Sequence, residues 1–98
     1  MRPQALTTAP FSIEFRWKEE VIYWEGARGY IFEGGWGVTP SVTYVPGPDQ
    51  WDDVVPEWMV GRRDEILANL RTESGHVLED GDWIYAQTAW GREVQRAG

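Results

Sequence analysis

Residues 11–17 alternate between apolar and polar side chains, and this period of two constrains the fold more than any other feature of the sequence. The apolar members of the run are Phe11, Ile13, Phe15 and Trp17. Because successive side chains of a β-strand point to opposite faces, the pattern predicts a strand with one buried face and one face in water. The sequence therefore predicts a sheet that starts near residue 11.

Three more runs of β-forming residues follow, at residues 21–25, 28–33 and 41–45. Gly26 and Gly29 bound the short connection between the first two of these runs, and glycine supplies the positive φ angles that tight turns need. Pro46-Gly47-Pro48 ends the last run. Together these signals predict an antiparallel meander.

Residues 62–73 have the pattern of one α-helix. Its apolar stripe is formed by Ile66, Leu67 and Leu70. Gly61 is a usable N-cap, and Gly75 is suited to the position just after the last turn. The basic doublet Arg62-Arg63 is interpreted as an exposed helix start.

A β-hairpin is predicted after the helix, because Asp80-Gly81 separates two β-prone runs at residues 76–79 and 82–86. The predicted fold is therefore α+β: an antiparallel sheet of about five to six strands, ordered as meander, helix and C-terminal hairpin, with the helix packed on one face. The predicted organisation is a flexible arm over residues 1–10, a single domain over residues 11–90, and a flexible tail over residues 91–98.

Tryptophan is unusually abundant, with seven residues in a chain of 98. They are Trp17, Trp24, Trp36, Trp51, Trp58, Trp83 and Trp90. A few of them would supply most of a core of this size, since each buries on the order of 200 Å². Tryptophan is rarely buried completely, so some of the seven are expected near the surface, where it is also a favoured interface anchor.

Composition excludes several functional classes. A formal net charge of −7 opposes binding to nucleic acid and to anionic membrane surfaces. The sequence has no cysteine, which excludes disulfides and thiolate metal sites. Residues 1–10 do not resemble a signal peptide, and no run approaches the roughly 18 apolar residues of a membrane span. A cytoplasmic location is expected.

The sequence offers little for catalysis. His76 is the single histidine, so any triad of the serine or cysteine type would depend on it. Its position after a helix end is more typical of an ordinary turn residue. Carboxylates are plentiful, but a domain this small leaves little room for the cleft that a two-carboxylate glycosidase needs. We therefore expect no enzyme, no catalytic residue, no metal and no cofactor.

The most distinctive segment is residues 49–59, where acidic side chains are interleaved with aromatic and aliphatic ones and no basic residue occurs. Protein interfaces favour tryptophan near their centres and charges that steer a complementary partner. An alternative is that Trp51 and Trp58 fold inward beneath the connection, with the acids only solvating it. The partner-binding residues predicted here and at the hairpin turn are Asp49, Trp51, Asp52, Asp53, Glu57, Trp58, Glu79, Asp80 and Asp82.

The order of elements resembles that of small immunity proteins of bacterial polymorphic toxin systems. The residues that carry the resemblance are Phe15-Arg16-Trp17, Tyr23-Trp24-Glu25-Gly26, Tyr44-Val45-Pro46, Trp51 and Arg63-Asp64-Glu65-Ile66-Leu67. The resemblance covers roughly residues 11–80 as a pattern of elements. The resemblance implies a cytoplasmic α+β inhibitor that binds a toxin domain one to one, often a nuclease with a basic active site, using an acidic face in place of phosphate.

Two other functions stay open from the sequence. Exposed tryptophan and tyrosine side chains would serve as stacking platforms in a small-ligand or carbohydrate-binding module. Surplus aromatic residues would equally seal the interface of a homo-oligomeric structural or adaptor protein.

Overall fold

A computed structural model describes residues 10–16, 19–35, 41–85 and 92–97, except for the side chains of Trp83 and Ile84. These ranges contain six strands and three α-helices. The strands are β1 (Ser12–Arg16), β2 (Glu20–Glu25), β3 (Arg28–Gly35), β4 (Val42–Val45), β5 (Val77–Asp80) and β6 (Glu93–Gln95). The helices are α1 (Trp51–Val54), α2 (Arg63–Ser74) and α3 (Asp82–Tyr85), and a 3₁₀ turn spans Glu57–Met59.

The six strands form a single sheet in the order β1-β2-β3-β4-β5, with β6 paired to β3. All pairs are antiparallel except β4 and β5, which run parallel. The predicted α+β fold, with a mostly antiparallel sheet and one main helix, is confirmed. The parallel pair was not predicted, and it arises because α2 lies between β4 and β5 and carries the chain back to the same end of the sheet.

The predicted hairpin across Asp80-Gly81 is wrong. The backbone N–H of Gly81 donates to the carbonyl oxygen of Val45 at 2.8 Å, which continues the parallel pairing past the end of β5. The chain then enters α3 at Asp82, where a second hairpin strand was predicted. An Asp-Gly pair is therefore compatible here with a strand-to-helix junction.

Residues 93–95 form β6, although a tail without regular structure was predicted there. Residues 1–9 of the predicted arm lie outside the described residues, as do Trp17, Trp36 and Trp90. None of the helices in the described part of the chain combines the length and the apolar character needed to cross a membrane.

The core lies between one face of the sheet and α2. The β2–β3 register pairs Val21 with Phe32 and Tyr23 with Tyr30, which places these four side chains on a common face. Across from them, the predicted apolar stripe of α2 is buried, and burial of each such side chain stabilises the fold by roughly 1.5–3 kcal/mol. Not every apolar residue of the alternating run is buried, and Phe15 in β1 is 54% exposed.

Helix α2 begins at Arg63, within one residue of the predicted start. Its N-cap is Arg62 and not the predicted Gly61, and no side chain caps the helix there. Gly75 ends the helix with a φ of 71°, a left-handed conformation that glycine adopts without a steric penalty. The prediction for this end of the helix is confirmed.

Tyr85 and Arg92 fill a gap along β3. Because β2 occupies one edge of β3, strands β4 and β6 share the other edge, at residues 33–35 and 28–30. The Tyr85 hydroxyl accepts the N–H of Glu33 at 3.0 Å and donates to the carbonyl oxygen of Tyr44 at 2.6 Å. Arg92 donates to the carbonyl oxygen of Ile31 at 3.2 Å. These side chains hydrogen-bond to backbone groups of β3 and β4 where the pairings with β4 and β6 meet.

Candidate functional site

The acidic segment, residues 49–59, follows β4 after a turn at Gly47. The carbonyl oxygen of Gly47 accepts the N–H groups of Gln50 and Trp51, and these bonds start α1. Pro56 then separates α1 from the 3₁₀ turn. The segment is thus a chain of short turns and not a loose loop.

The acidic side chains of this segment lie on the surface. Asp49, Asp52, Asp53 and Glu57 are all exposed. None of them takes part in an ion pair among the described residues. Asp52 also has a local role, because its Oδ1 accepts the N–H of Gly61 at 2.8 Å and ties α1 to the turn before α2. The segment therefore presents four carboxylates to solvent.

Trp51 lies in the core, so its prediction as a contact residue is wrong. Its side chain is 1% exposed and its ring stacks on Phe32, with centroids 6.1 Å apart. The indole N–H donates to the carbonyl oxygen of Met59 at 2.9 Å. A buried indole with a satisfied N–H anchors the two ends of the acidic segment and offers no surface to a partner.

Trp58 is half-buried, between the two alternatives considered from the sequence. Its ring stacks with Tyr23 at a centroid distance of 6.4 Å, and the Arg28 guanidinium lies 5.2 Å from its centroid. Its Nε1 donates to Oε2 of Glu93 at 3.1 Å. Trp58 therefore joins the acidic segment to β3 and β6.

A groove of about 450 Å³ opens beside Trp58. Its walls are formed by Arg28, Pro56, Glu57, Trp58 and Glu93. Two of these residues, Glu57 and Trp58, belong to the predicted contact set. Glu93 was missed, because it lies 35 residues from Trp58 in a segment with no periodic pattern.

Arg62 binds the end of the acidic segment and two neighbouring carboxylates, and it uses all five of its N–H donors to do so. Nη1 and Nη2 donate to Glu25 at 3.0 and 2.6 Å. Nε and Nη2 donate to Glu65 at 2.9 and 2.8 Å, and Nη1 also donates to the carbonyl oxygen of Trp58 at 2.8 Å. The interpretation of Arg62 as an exposed helix start is therefore wrong. Its hydrogen bonds fix the 3₁₀ turn, the start of α2 and the end of β2 relative to one another.

The electrostatics of this cluster follow from its contacts. The hydrogen bonds that Arg62 donates to Glu65 and Glu25 raise the pKa of its guanidinium. The hydrogen bond from Arg62 lowers the pKa of Glu65. Burial, together with the hydrogen bond to Glu25 at 2.5 Å, raises the pKa of Tyr23. The cluster is thus a charged network in which Tyr23 stays neutral.

The second predicted group of contact residues lies next to the acidic segment, but two of its members have internal partners. Asp82 Oδ1 accepts the N–H of Gly47 at 2.7 Å, and Gln50 Nε2 donates to the Asp82 carbonyl oxygen at 3.0 Å. Asp80 forms an ion pair with Arg63 at 2.9 Å. Glu79 is exposed and has no ion-pair partner in the described ranges. Of this group, Glu79 is the member that remains fully available.

His76 lies away from the acidic segment, at the end of α2. Its Nδ1 is 2.9 Å from Oγ1 of Thr43, and its ring centroid is 5.2 Å from that of Phe15. These contacts account for one ring nitrogen and one ring face.

No protein-family model matches the chain, and no curated protein or solved structure matches it either.

Proposed function

We propose that this protein is a non-catalytic binding domain whose acidic segment docks on a basic surface of another protein. The observation that carries the proposal is the set of four exposed carboxylates, Asp49, Asp52, Asp53 and Glu57, without an ion-pair partner in the part of the chain that the structure describes. In its most specific form, the proposal is a cytoplasmic immunity protein that neutralises a bacterial toxin domain, such as a nuclease with a basic active site.

Electrostatics favours a basic partner. Like charges held close together repel one another, and a surface of opposite charge relieves that repulsion and raises the rate of encounter. The chain as a whole carries a net charge of −7, which adds to the attraction. A nuclease active site is shaped to attract phosphate, and carboxylates on a protein surface present a similar negative charge.

The rigidity of the segment also favours docking. Trp51 is anchored in the core, and Arg62 holds the carbonyl oxygen of Trp58 at 2.8 Å. A surface that is ordered before binding loses less conformational entropy when a partner arrives. The short helices of the acidic segment therefore suit a tight complex.

The observed tryptophan packing favours a protein partner over a carbohydrate. Of the tryptophan side chains within the described ranges, Trp24 and Trp51 are buried and Trp58 is half-buried against Tyr23 and Arg28. A sugar needs an open aromatic face on which to stack.

Growth rescue tests the toxin proposal directly. The neighbouring genes would be searched for a toxin domain, which would be produced in cells with and without this protein; a neighbourhood without such a gene would count against the toxin form of the proposal. We expect rescue by the wild type, a one-to-one complex, and loss of both with Asp49→Lys combined with Asp53→Lys. A matched control is Glu73→Lys, an exposed residue at the far end of α2.

Two outcomes would overturn the proposal: no rescue and no complex with the wild type, or a complex unaffected by the Asp49 and Asp53 reversals. Light scattering of the protein alone tests the oligomeric alternative, since a monomer at all concentrations removes a homotypic role for this surface.

A further inference from the structure

The groove beside Trp58 has the features of a site for one charged side chain. It measures about 450 Å³, near the lower end of the range of roughly 300–1,000 Å³ that is typical of ligand pockets. We propose that this groove binds the charged end of an arginine or lysine side chain of the protein partner. The carboxylates of Glu57 and Glu93 would bind this charged end. This inference rests on the proposed function.

Glu93 is held in place before any partner arrives. Its Oε2 accepts the Trp58 indole N–H at 3.1 Å, and Oε1 forms no hydrogen bond within the described part of the chain. The carboxylate is therefore fixed at one oxygen and available at the other. A positioned acceptor with a free oxygen suits a cationic donor, because hydrogen bonds between ionised groups are roughly twice as strong as neutral ones.

Glu57 supplies the second charge. It is exposed on the first residue of the 3₁₀ turn, and it has no ion-pair partner in the ranges that the structure describes. Arg28 lines the same groove, but its described contact is with the Trp58 ring, at 5.2 Å. With two carboxylates and one guanidinium, the groove carries a net charge of about −1.

The walls suit the rest of such a side chain. The apolar part of the groove lining comes from Trp58, which is half-buried, and from Pro56, which is buried. The aliphatic stems of arginine and lysine pack along apolar surface while their charged ends seek polar partners. The aliphatic stem of the proposed side chain thus matches the apolar lining of the groove, and its charged end matches the carboxylates.

Substitution of Arg28 should change the affinity for a cation in the opposite direction from substitution of Glu57 or Glu93. The Arg28 guanidinium opposes the entry of a second cation, so its neutralisation should strengthen cation binding, whereas neutralisation of Glu57 or Glu93 should weaken it. General damage to the groove would weaken binding in all three variants. The Glu93→Gln substitution keeps an oxygen acceptor for the Trp58 indole, so it removes charge without removing that hydrogen bond.

The experiment uses N-acetyl-arginine-methylamide as the probe, and the neutral citrulline analogue as its control. Binding is followed by NMR, through the indole N–H signal of Trp58, which is assigned with Trp58→Phe. We expect a saturable shift with the arginine probe and none with citrulline. Glu57→Gln and Glu93→Gln should each weaken binding about two- to five-fold. Arg28→Gln should strengthen it, and Glu73→Gln should leave it unchanged.

Equal shifts with both probes, wild-type affinity in Glu57→Gln and Glu93→Gln, or weaker binding in Arg28→Gln would overturn the inference. Its failure is distinct from failure of the proposed function. Toxin binding that depends on Asp49 and Asp53 but not on Glu57 and Glu93 would rule out the groove as a contact site and leave the proposed function intact. If the protein bound arginine but formed no complex with a toxin, the groove site would stand and the proposed function would be wrong.

Discussion

The guanidinium of Arg62 and the carboxylate of Glu25 meet through hydrogen bonds of 2.6 and 3.0 Å at the end of β2. The Glu25 side chain is 6% exposed and that of Arg62 is 25% exposed, so the pair is largely removed from water. Loss of Glu25 would remove the acceptor of two guanidinium N–H groups and of the Tyr23 hydroxyl, while Arg62 would keep Glu65 as its remaining ion-pair partner.

We therefore expect Glu25→Ala to lower the free energy of unfolding by about 1–3 kcal/mol, because donors that are largely removed from water lose their acceptor. The matched control is Glu20→Ala in the same strand, whose ion pair with Arg16 is solvent-exposed and should contribute less than about 1 kcal/mol. Urea denaturation at neutral pH measures both. Similar losses in the two variants would contradict a stabilising role for the Arg62 cluster.

Acid should weaken this cluster through Glu65. Its pKa in the folded protein lies below the ordinary value of 4.5, because Arg62 donates hydrogen bonds to it. The resulting stabilisation is fully present above pH 4.5 and is lost as the pH falls through the lower folded pKa. We expect Glu65→Gln to flatten the fall of unfolding free energy below pH 4.5, measured by urea denaturation across pH.

The control for this prediction is the Arg62→Gln background, which removes the donor that lowers the pKa. There, Glu65→Gln should have little further effect on the slope. A slope that still responds to Glu65→Gln without Arg62 would assign the pH dependence to another partner.

Tyr85→Phe should be destabilising, because its hydroxyl bridges the N–H of Glu33 and the carbonyl oxygen of Tyr44. Its removal takes the acceptor from the partly buried N–H of Glu33 and one donor from the carbonyl oxygen of Tyr44, at about 1–3 kcal/mol. Tyr30→Phe is the matched control, since the Tyr30 side chain is equally buried but its hydroxyl has no hydrogen-bond partner among the residues that the structure describes. That variant should be as stable as the wild type or more stable. Thermal unfolding of the two would separate them, and an equal loss in both would refute the bridging role.

Salt should slow the formation of the proposed complex. The screening length falls from about 30 Å at 0.01 M salt to about 8 Å at 0.15 M, which removes long-range steering by exposed charges. We expect Asp49→Asn combined with Asp53→Asn to lower the association rate and to reduce its salt dependence, with little change in the dissociation rate. Stopped-flow kinetics with the toxin domain would test this, and Glu73→Asn is the control. An association rate independent of salt would argue against steering by the acidic segment.

Local sequence patterns were sufficient for the meander and for α2. The alternation near Phe15 and the glycines at positions 26 and 75 act within a few residues, so their effects appear directly in the sequence. Pairing across long separations was not predictable in this way. Asp80-Gly81 has the chemistry of a hairpin turn, but the hydrogen bond from Gly81 to Val45 decides its structure.

The candidate site shows the same division. The acidic and aromatic composition of residues 49–59 identified Glu57 and Trp58, which line the groove. The sequence missed the partners that position them, because Arg62 meets Glu25 across 37 residues and Trp58 meets Glu93 across 35. Sorting the tryptophans into buried and partly exposed also required the packing, since Trp51 and Trp58 occupy similar sequence surroundings.

The docking of β6 on β3 has a consequence for the order of folding. Arg92 reaches Ile31 and Glu33 across 61 and 59 residues, and β6 itself is three residues long. Closing so large a loop for so few hydrogen bonds is entropically unfavourable until the rest of the sheet exists. We expect the first three strands to form an early nucleus and β6 to join it late. In hydrogen exchange, the amides of β6 should therefore open before those of β2.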